Sequence, residues 1–306
     1  MTNIKVDNVN DALRLGVDFF QWEGNYREQD SRNGVTLEAL EPVMTTYFKP
    51  WERVLLFPAR DANPFFHLIE SIWMLGGSQR VGQLSHFNSG MQQFSDNGHT
   101  LNGAYGFRWY HQFKGRDQVR ALINVLKSHP ESRRAVLQMW DPLVDLGSSS
   151  KDIPCNTNIF FKVRDNKLQM TVCNRSNDMV WGAYGANAVH MSVLQEYIAK
   201  SLDVEIGPYH QISDSFHVYK NKQWKNLCNT PLSKLKYPEN LVPVVKNATT
   251  FTMDCHMFLA HIPVGTELQL DFENKVDWNQ FDNPIFPTVL RPMVRAFIEH
   301  KHREYT

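Results

Sequence analysis

Two runs of strand-forming residues, Thr157 to Val163 (TNIFFKV) and Lys167 to Val172 (KLQMTV), flank a turn at Asp165-Asn166. The second run alternates apolar and polar residues, the period of a strand with one buried face. Such runs joined by an Asp-Asn pair close as a β-hairpin. The chain therefore contains an antiparallel sheet whose apolar face must be covered. Helices can supply the cover. Asn10 to Phe20 carries an apolar stripe of Ala12, Leu13, Leu15, Val17 and Phe20. Pro64 to Leu75 (PFFHLIESIWML) predicts an apolar helix opened by its proline and closed by Gly76-Gly77. Asp117 to Ser128 repeats apolar residues at Val119, Leu122, Ile123 and Leu126, then meets Pro130. Ala135 to Trp140 (AVLQMW) has strand composition, and Ala188 to Leu202 predicts a long buried helix. The proline-rich C-terminal third, with runs such as Glu267 to Phe272 (ELQLDF), predicts further strands and loops. Hairpins rather than repeated βαβ units dominate this mixed α/β (α+β) pattern.

Neither a repeat nor a low-complexity tract interrupts the 306 residues, and the most linker-like stretch is Gly147 to Lys151 (GSSSK). We expect one continuous domain. Lys plus Arg and Asp plus Glu both total 32, a balance that argues against a generic nucleic-acid or membrane-surface binder. A small anionic ligand held by a few arginines remains compatible with it. Cys155, Cys173, Cys228 and Cys255 are widely spaced without a C-x-x-C pair, as expected of reduced thiols. The opening segment lacks the layout of a signal peptide. No apolar run approaches the roughly 18 residues that span a bilayer. Together these predict a cytoplasmic protein.

Asp152-Ile153-Pro154-Cys155-Asn156 places a cysteine at a loop–strand junction. Nearby arginines would depress the pKa of an exposed thiol there and make it a nucleophile. A buried small hydrophobe is the alternative. Arg32, Arg133, Arg134 and Arg175 all lie near turns, where guanidinium forks suit phosphate oxygens, or else form surface ion pairs. Glu70 interrupts the apolar helix and suits proton transfer, unless it lies on a solvated face. His217 and Tyr219 fall on one face of a strand, where they could meet a sugar hydroxyl or pair within the core. His210 and His217 lack the partner spacing of a metal site, so none is expected.

In order, the chain shows SRNG around Arg32, then HLIESIWMLGG, LNGAYGFRW and HPESRRAVLQMWDP. IPCNTNIFFKVRDNKLQMTVCNRSNDMVWG, a helix and SDSFHVYKN follow. This ordered set resembles the thymidylate synthase family, which includes the deoxypyrimidine nucleotide hydroxymethylases, from about Arg32 to Asn221. The resemblance implies one catalytic domain over 1–306, with residues 222–306 outside the match. It also implies a large mixed, mainly antiparallel sheet covered by helices, and a homodimer joined sheet to sheet. The substrate would be a pyrimidine deoxynucleoside monophosphate and the one-carbon donor 5,10-methylenetetrahydrofolate, with neither nucleic acid nor membrane required.

By the same resemblance, Cys155 is the thiolate that adds to C6 of the ring. Arg32 and Arg175 hold the 5′-phosphate, Arg133 and Arg134 reach it from the partner subunit, and Ser176 completes its shell. Glu70 relays protons at ring position 4, and Tyr105 helps remove the C5 proton. Asp178 faces the folate, while His217 and Tyr219 bind the ribose 3′-hydroxyl. Addition at C6 makes C5 nucleophilic, and loss of its proton leaves an exocyclic methylene. Hydride then gives a methyl group; water gives a hydroxymethyl group.

Four departures bear on that choice. Asn156 replaces a histidine, and Asn174, in the substrate shell, replaces a glutamine. The segment Gly90 to Phe94 lacks the tryptophan that shields the methylene, a role open to Trp73, Phe94 or Trp181. The chain ends HKHREYT, polar where synthases carry an apolar lid. The missing shield and lid favour water, hence a hydroxymethylase, with a thymidylate synthase or a non-catalytic nucleotide-binding protein as rivals. Asn187 falls one position late for the residue that reads the base. If it is that reader, its donor and acceptor favour uracil; if Ala186 takes the slot, cytosine becomes open.

Overall fold

The computed structural model describes residues 1–263, 268 and 271–304, with backbone alone from 302. Its sheet has eight strands: β1 (Thr2–Val6), β2 (Tyr26–Ser31), β3 (Gly34–Ala39), β4 (Val43–Tyr47), β5 (Ala135–Gln138), β6 (Asn156–Arg164), β7 (Lys167–Asp178) and β8 (Glu205–Tyr219). They run in the order β1-β4-β8-β7-β6-β5, with β3 also on β8 and β2 on β3. β1 pairs β4, and β7 pairs β8, in parallel. The remaining pairings are antiparallel, so the mixed, mainly antiparallel sheet is as expected.

The β6–β7 hairpin closes where the sequence places it. Asp165 and Asn166 both take positive φ, 51° and 56°, between the paired Arg164 and Lys167. Asp and Asn tolerate that left-handed region in two-residue hairpin loops. Leu168, Met170 and Val172 are buried on one face of β7. β8 crosses the middle of the sheet and carries one extra residue, its register against β7 slipping at Gly207-Pro208. A Cβ at 207 would lie 2.9 Å from the Leu168 carbonyl oxygen, and proline fits where a ladder bond is already missing. Gln195 donates to the Leu168 and Gly207 carbonyls at 2.8 and 3.0 Å, satisfying the irregularity from behind.

Four helices stand where periodicity puts them: α1 (Val9–Gln21), α2 (Pro64–Leu75), α3 (Gln118–Ser128) and α4 (Asn187–Leu202). The first three have side-chain caps, Asn8 on Asp11 N, Asn63 on Phe66 N and Asp117 on Arg120 N. Each such cap is worth about 1 kcal/mol. Twelve of the 16 residues of α4 are buried, so its polar groups need partners. Glu196 pairs with Arg53 and also accepts from Val245 N at 2.8 Å.

The C-terminal third differs from expectation. After β8 its described residues contain helices and no strand: α5 (Lys222–Cys228), α6 (Ala248–His261) and α7 (Arg291–Glu304). Of the ELQLDF run, Glu267, Gln269 and Leu270 lie outside the described residues, and Phe272 opens the helical turn Phe272–Lys275. The reason is visible in α6, where buried Phe251, Cys255, Phe258 and Leu259 repeat at helical spacing. The chain's last side chains, part of the predicted polar tail, also lie outside the described residues.

Candidate active site

Cys155 sits one residue before β6, on a loop gripped by two arginines. Arg175 on β7 donates from Nε to the Pro154 carbonyl at 3.0 Å and from Nη2 to that of Ile153 at 3.2 Å. Its backbone N–H bonds the Cys155 carbonyl at 3.0 Å, and its guanidinium lies 5.6 Å over the Trp140 ring. Arg32, in the β2–β3 turn, donates to the Lys151 carbonyl at 3.1 Å. Both arginines are exposed, and each keeps N–H donors for an anion. The net shift of the thiol reverses expectation. Burial pushes Cys155 up, Asp152 adds to the rise, and Arg175 and Arg32 oppose it without winning. A desolvated thiol resists ionisation even beside a guanidinium.

Asp152 is a group that sequence reasoning missed. Its carboxylate accepts the Gly103 N–H at 2.7 Å, and a Cβ at 103 would lie 2.8 Å from its Oδ1, so a side chain there would displace the carboxylate. Burial holds the carboxyl above its usual range. Tyr105 follows in a short helical turn, its hydroxyl beside the backbone amides of Cys155 and Asn156. Burial and the nearby Cys155 and Asp152 raise its pKa. Gly106 lets this turn lie against the end of α2, since a Cβ there would fall 1.9 Å from the Met74 carbonyl oxygen. Buried Arg108 pins the same segment, bonding Asp145 at 2.6 and 2.8 Å and the carbonyls of Asn102 and Met139.

Glu70 projects from α2 to α4, its Oε2 lying 3.0 Å from His190 Nε2. The contact is close but off hydrogen-bond alignment, which leaves the buried Nε2 without a hydrogen-bond partner. His67, one turn earlier, packs edge-to-face on His190, and burial pushes it down to about 4. Beyond Cys155 the strands present amides. Asn156 faces Asn174 across β6–β7 and donates to it, while Asn174 donates to the Ile212 carbonyl at 2.9 Å. Two departures from the family pattern are thus one bonded pair. Asn187, at the start of α4, donates to Asn177 Oδ1 at 3.0 Å, and Asn177 donates to Ser213 Oγ at 3.0 Å. The extra residue before Asn187 is absorbed in the wide turn Met179–Ala186, which is non-helical at Tyr184 and Gly185.

The model of one family, thymidylate synthase, matches residues 23–258, overlapping all of this geometry. The chain belongs to the thymidylate synthase family. Among relatives, a deoxyuridylate hydroxymethyltransferase of Pseudomonas phage M6 is 51% identical over 97% of this chain and 84% of its own length. Enzymes of the same name from Bacillus phage SP01 and Delftia phage PhiW-14 are 40% and 30% identical, over 61% and 69% of this chain. The chain spans 51% and 60% of those two proteins.

Within this thymidylate synthase fold the other expected residues divide. Asp178 ends β7 opposite His217; its Oδ1 caps the following turn at Trp181 N, while its buried Oδ2 has no hydrogen-bond partner among the described residues. Burial raises its pKa. His217 and Tyr219 do share a face, their rings 5.5 Å apart, and His217 Nδ1 donates to the Ser215 carbonyl at 3.1 Å. Ser176 lies beside Ser215 in the β7–β8 register. Trp73 is corrected: it is 2% exposed and its indole N–H serves the Arg80 carbonyl at 3.1 Å, so it is core rather than cofactor surface. Trp181, exposed and stacked under the buried Arg60 at 4.6 Å, is the indole beside Asp178. Arg133 and Arg134 lie exposed before β5, and the arginines that act on Cys155 in this chain are Arg175 and Arg32. His190, His67 and Asp152 were hidden because an apolar helix and a loop gave no pairing signal. The described residues contain no cluster of His, Cys, Asp and Glu suited to a metal ion.

Proposed function

We propose that this chain is a folate-dependent deoxyuridylate C5 hydroxymethylase that quenches the exocyclic methylene with water. The observation that carries the reading is the convergence on Cys155 of Tyr105, Arg175 and Arg32. The activity named for the three phage relatives supports water over hydride as acceptor.

Arg175 and Arg32 bind the 5′-phosphate with the donors left free of loop carbonyls, holding the ring over Cys155. The thiol proton passes to solvent water as Sγ bonds C6, and the C5=C6 electron pair moves through the ring to O4, where Glu70 lends a proton that it takes back when the ring is restored. Tyr105 draws off the C5 proton, and His217 and Tyr219 fix the ribose. The unpartnered Oδ2 of Asp178 suits the N–H groups of a pterin, with Trp181 as an adjoining flat surface. When bound, methylenetetrahydrofolate supplies the one-carbon unit. Water adds to the methylene carbon and gives up a proton; the S–C6 bond then breaks, restoring the ring and Cys155. In a dimer, Arg133 and Arg134 would serve the partner's phosphate. Supporting this, cross-strand Val136 and Phe160 are 41% and 43% exposed on the open face of the sheet. No described helix is long and apolar enough to cross a membrane. We place the enzyme in the cytoplasm, that of the host if the chain is viral.

Incubation with dUMP and methylenetetrahydrofolate, with the product identified by mass, tests the reading. A hydroxymethylated nucleotide with tetrahydrofolate is expected; a methylated one with dihydrofolate overturns it in favour of a synthase. Tritium release from C5-labelled dUMP should vanish in Cys155→Ala, and its persistence would remove the nucleophile.

A further inference from the structure

We propose that Asn177 fixes the orientation of the Asn187 amide and thereby makes the site selective for a uracil over a cytosine ring. The inference rests on the reading of Asn187 as the group that meets the ring. Asn177 is a positioning residue, since it acts through Asn187.

An asparagine amide presents an acceptor on one side and donors on the other, and turning it over exchanges them. Uracil offers a donor at N3–H and an acceptor at O4; cytosine offers the reverse at N3 and its amino group. A freely turning Asn187 would therefore accept both bases. The chain from strand to helix opposes this by coupling Asn187 to Asn177 and Ser213. Asn187 Nδ2 donates to Asn177 Oδ1 at 3.0 Å, and Asn177 Nδ2 donates to Ser213 Oγ at 3.0 Å. The three residues are 8%, 2% and 2% exposed, so a broken link cannot be replaced by bulk water. Turning Asn187 alone would set two amide oxygens against each other. As held, it keeps its Oδ1 for N3–H and a second N–H for O4, the uracil pattern.

Gly182 is shaped to this pair. A Cβ at 182 would lie 2.6 Å from Asn177 Oδ1 and 3.4 Å from Asn187 Nδ2, so a bare backbone makes room for the contact. Ser213 is the remaining freedom. Its hydroxyl can donate as well as accept, so both amides can turn together only if that hydrogen bond reverses.

The test compares kcat/KM for dUMP and dCMP at pH 8, with thermal unfolding as a check on folding. The wild type should favour dUMP, and Asn177→Leu should lower the dUMP-to-dCMP ratio tenfold or more. Asn177→Asp, which still accepts from Asn187 and from Ser213, should keep the ratio. Ser213→Ala should lower it by less than Asn177→Leu, and it decides the matter should the leucine variant not fold. A folded Asn177→Leu or Ser213→Ala with the wild-type ratio overturns the proposal, as does a folded Asn177→Asp that loses it. A wild type that favours dCMP, or Asn187→Ala with undiminished preference, instead overturns the reading of Asn187 beneath it.

Discussion

Under the function proposed, the binding groups at the Cys155 end of the site are exposed arginines, one in a turn and one on β7, whereas around Asn187 they are neutral amides sealed in the core. Arg175 and Arg32 spend part of their hydrogen-bonding capacity on loop carbonyls and keep the rest. Asn177 and Asn187 satisfy each other first. The difference follows from what each end must recognise. A phosphate is strongly hydrated and anionic, and rigid planar donors at the surface suffice for it. A base edge is neutral and is told from its analogue by the direction of hydrogen bonds, which a buried and fully specified amide enforces. On that proposal the first end would supply affinity and the second choice.

The largest expected effect tests that division at the charged end. Arg175→Ala should raise KM for dUMP about a hundredfold, some 3 kcal/mol, because hydrogen bonds to a charged group are lost together. The preference for dUMP over dCMP should stay as it was. A steady-state series with both nucleotides decides this, and a collapsed preference would mean that the two ends are not separate.

A smaller effect probes the neutral end. His67 is held near pH 4 by burial, below its ordinary value of 6.5. Between those values the unfolded chain binds the extra proton and the folded chain does not. Stability from keeping His67 neutral is thus present above about pH 6.5 and lost as pH falls towards 4. Urea unfolding should show about 2 kcal/mol less stability at pH 5 than at pH 7.5 from this group. In His67→Gln that part of the decline should disappear; an equally steep decline would place the acid sensitivity elsewhere.

How much of this was legible in the sequence follows the same division. The hairpin, the helices α1 to α4, and the order of motifs around Arg32, Glu70, Tyr105, Cys155 and Arg175 are local patterns, and they were readable. Asn187 was readable on its own, whereas Asn177 stood only inside the RSND run. Their pairing depends on an irregular turn at Tyr184 and Gly185, for which helical periodicity has no signature. Asp152 lies near Tyr105 and Cys155 where Gly103 leaves room for its carboxylate and Gly106 lets the Tyr105 turn approach the end of α2, and glycine in a loop does not say what approaches it. The sign of the Cys155 shift was missed for a related reason. Charges can be counted along a chain, but the burial that outweighs them cannot.

Asp152 gives the finest test of the comparison, since it is the one carboxylate that acts on the thiol at the cationic end. At the alkaline pH where a buried thiol titrates, this carboxylate disfavours a second negative charge beside it. Asp152→Asn removes the charge and keeps an oxygen to accept the Gly103 N–H. The pH midpoint for alkylation of Cys155 by iodoacetamide, followed on its own peptide by mass, should therefore fall. Alkylation at pH 8 should become several-fold faster, and dUMP should still protect. A midpoint that stays put would assign the raised pKa to burial alone. A midpoint that rises would mean that the carboxylate takes up the thiol proton, making Asp152 a base rather than an opposing charge.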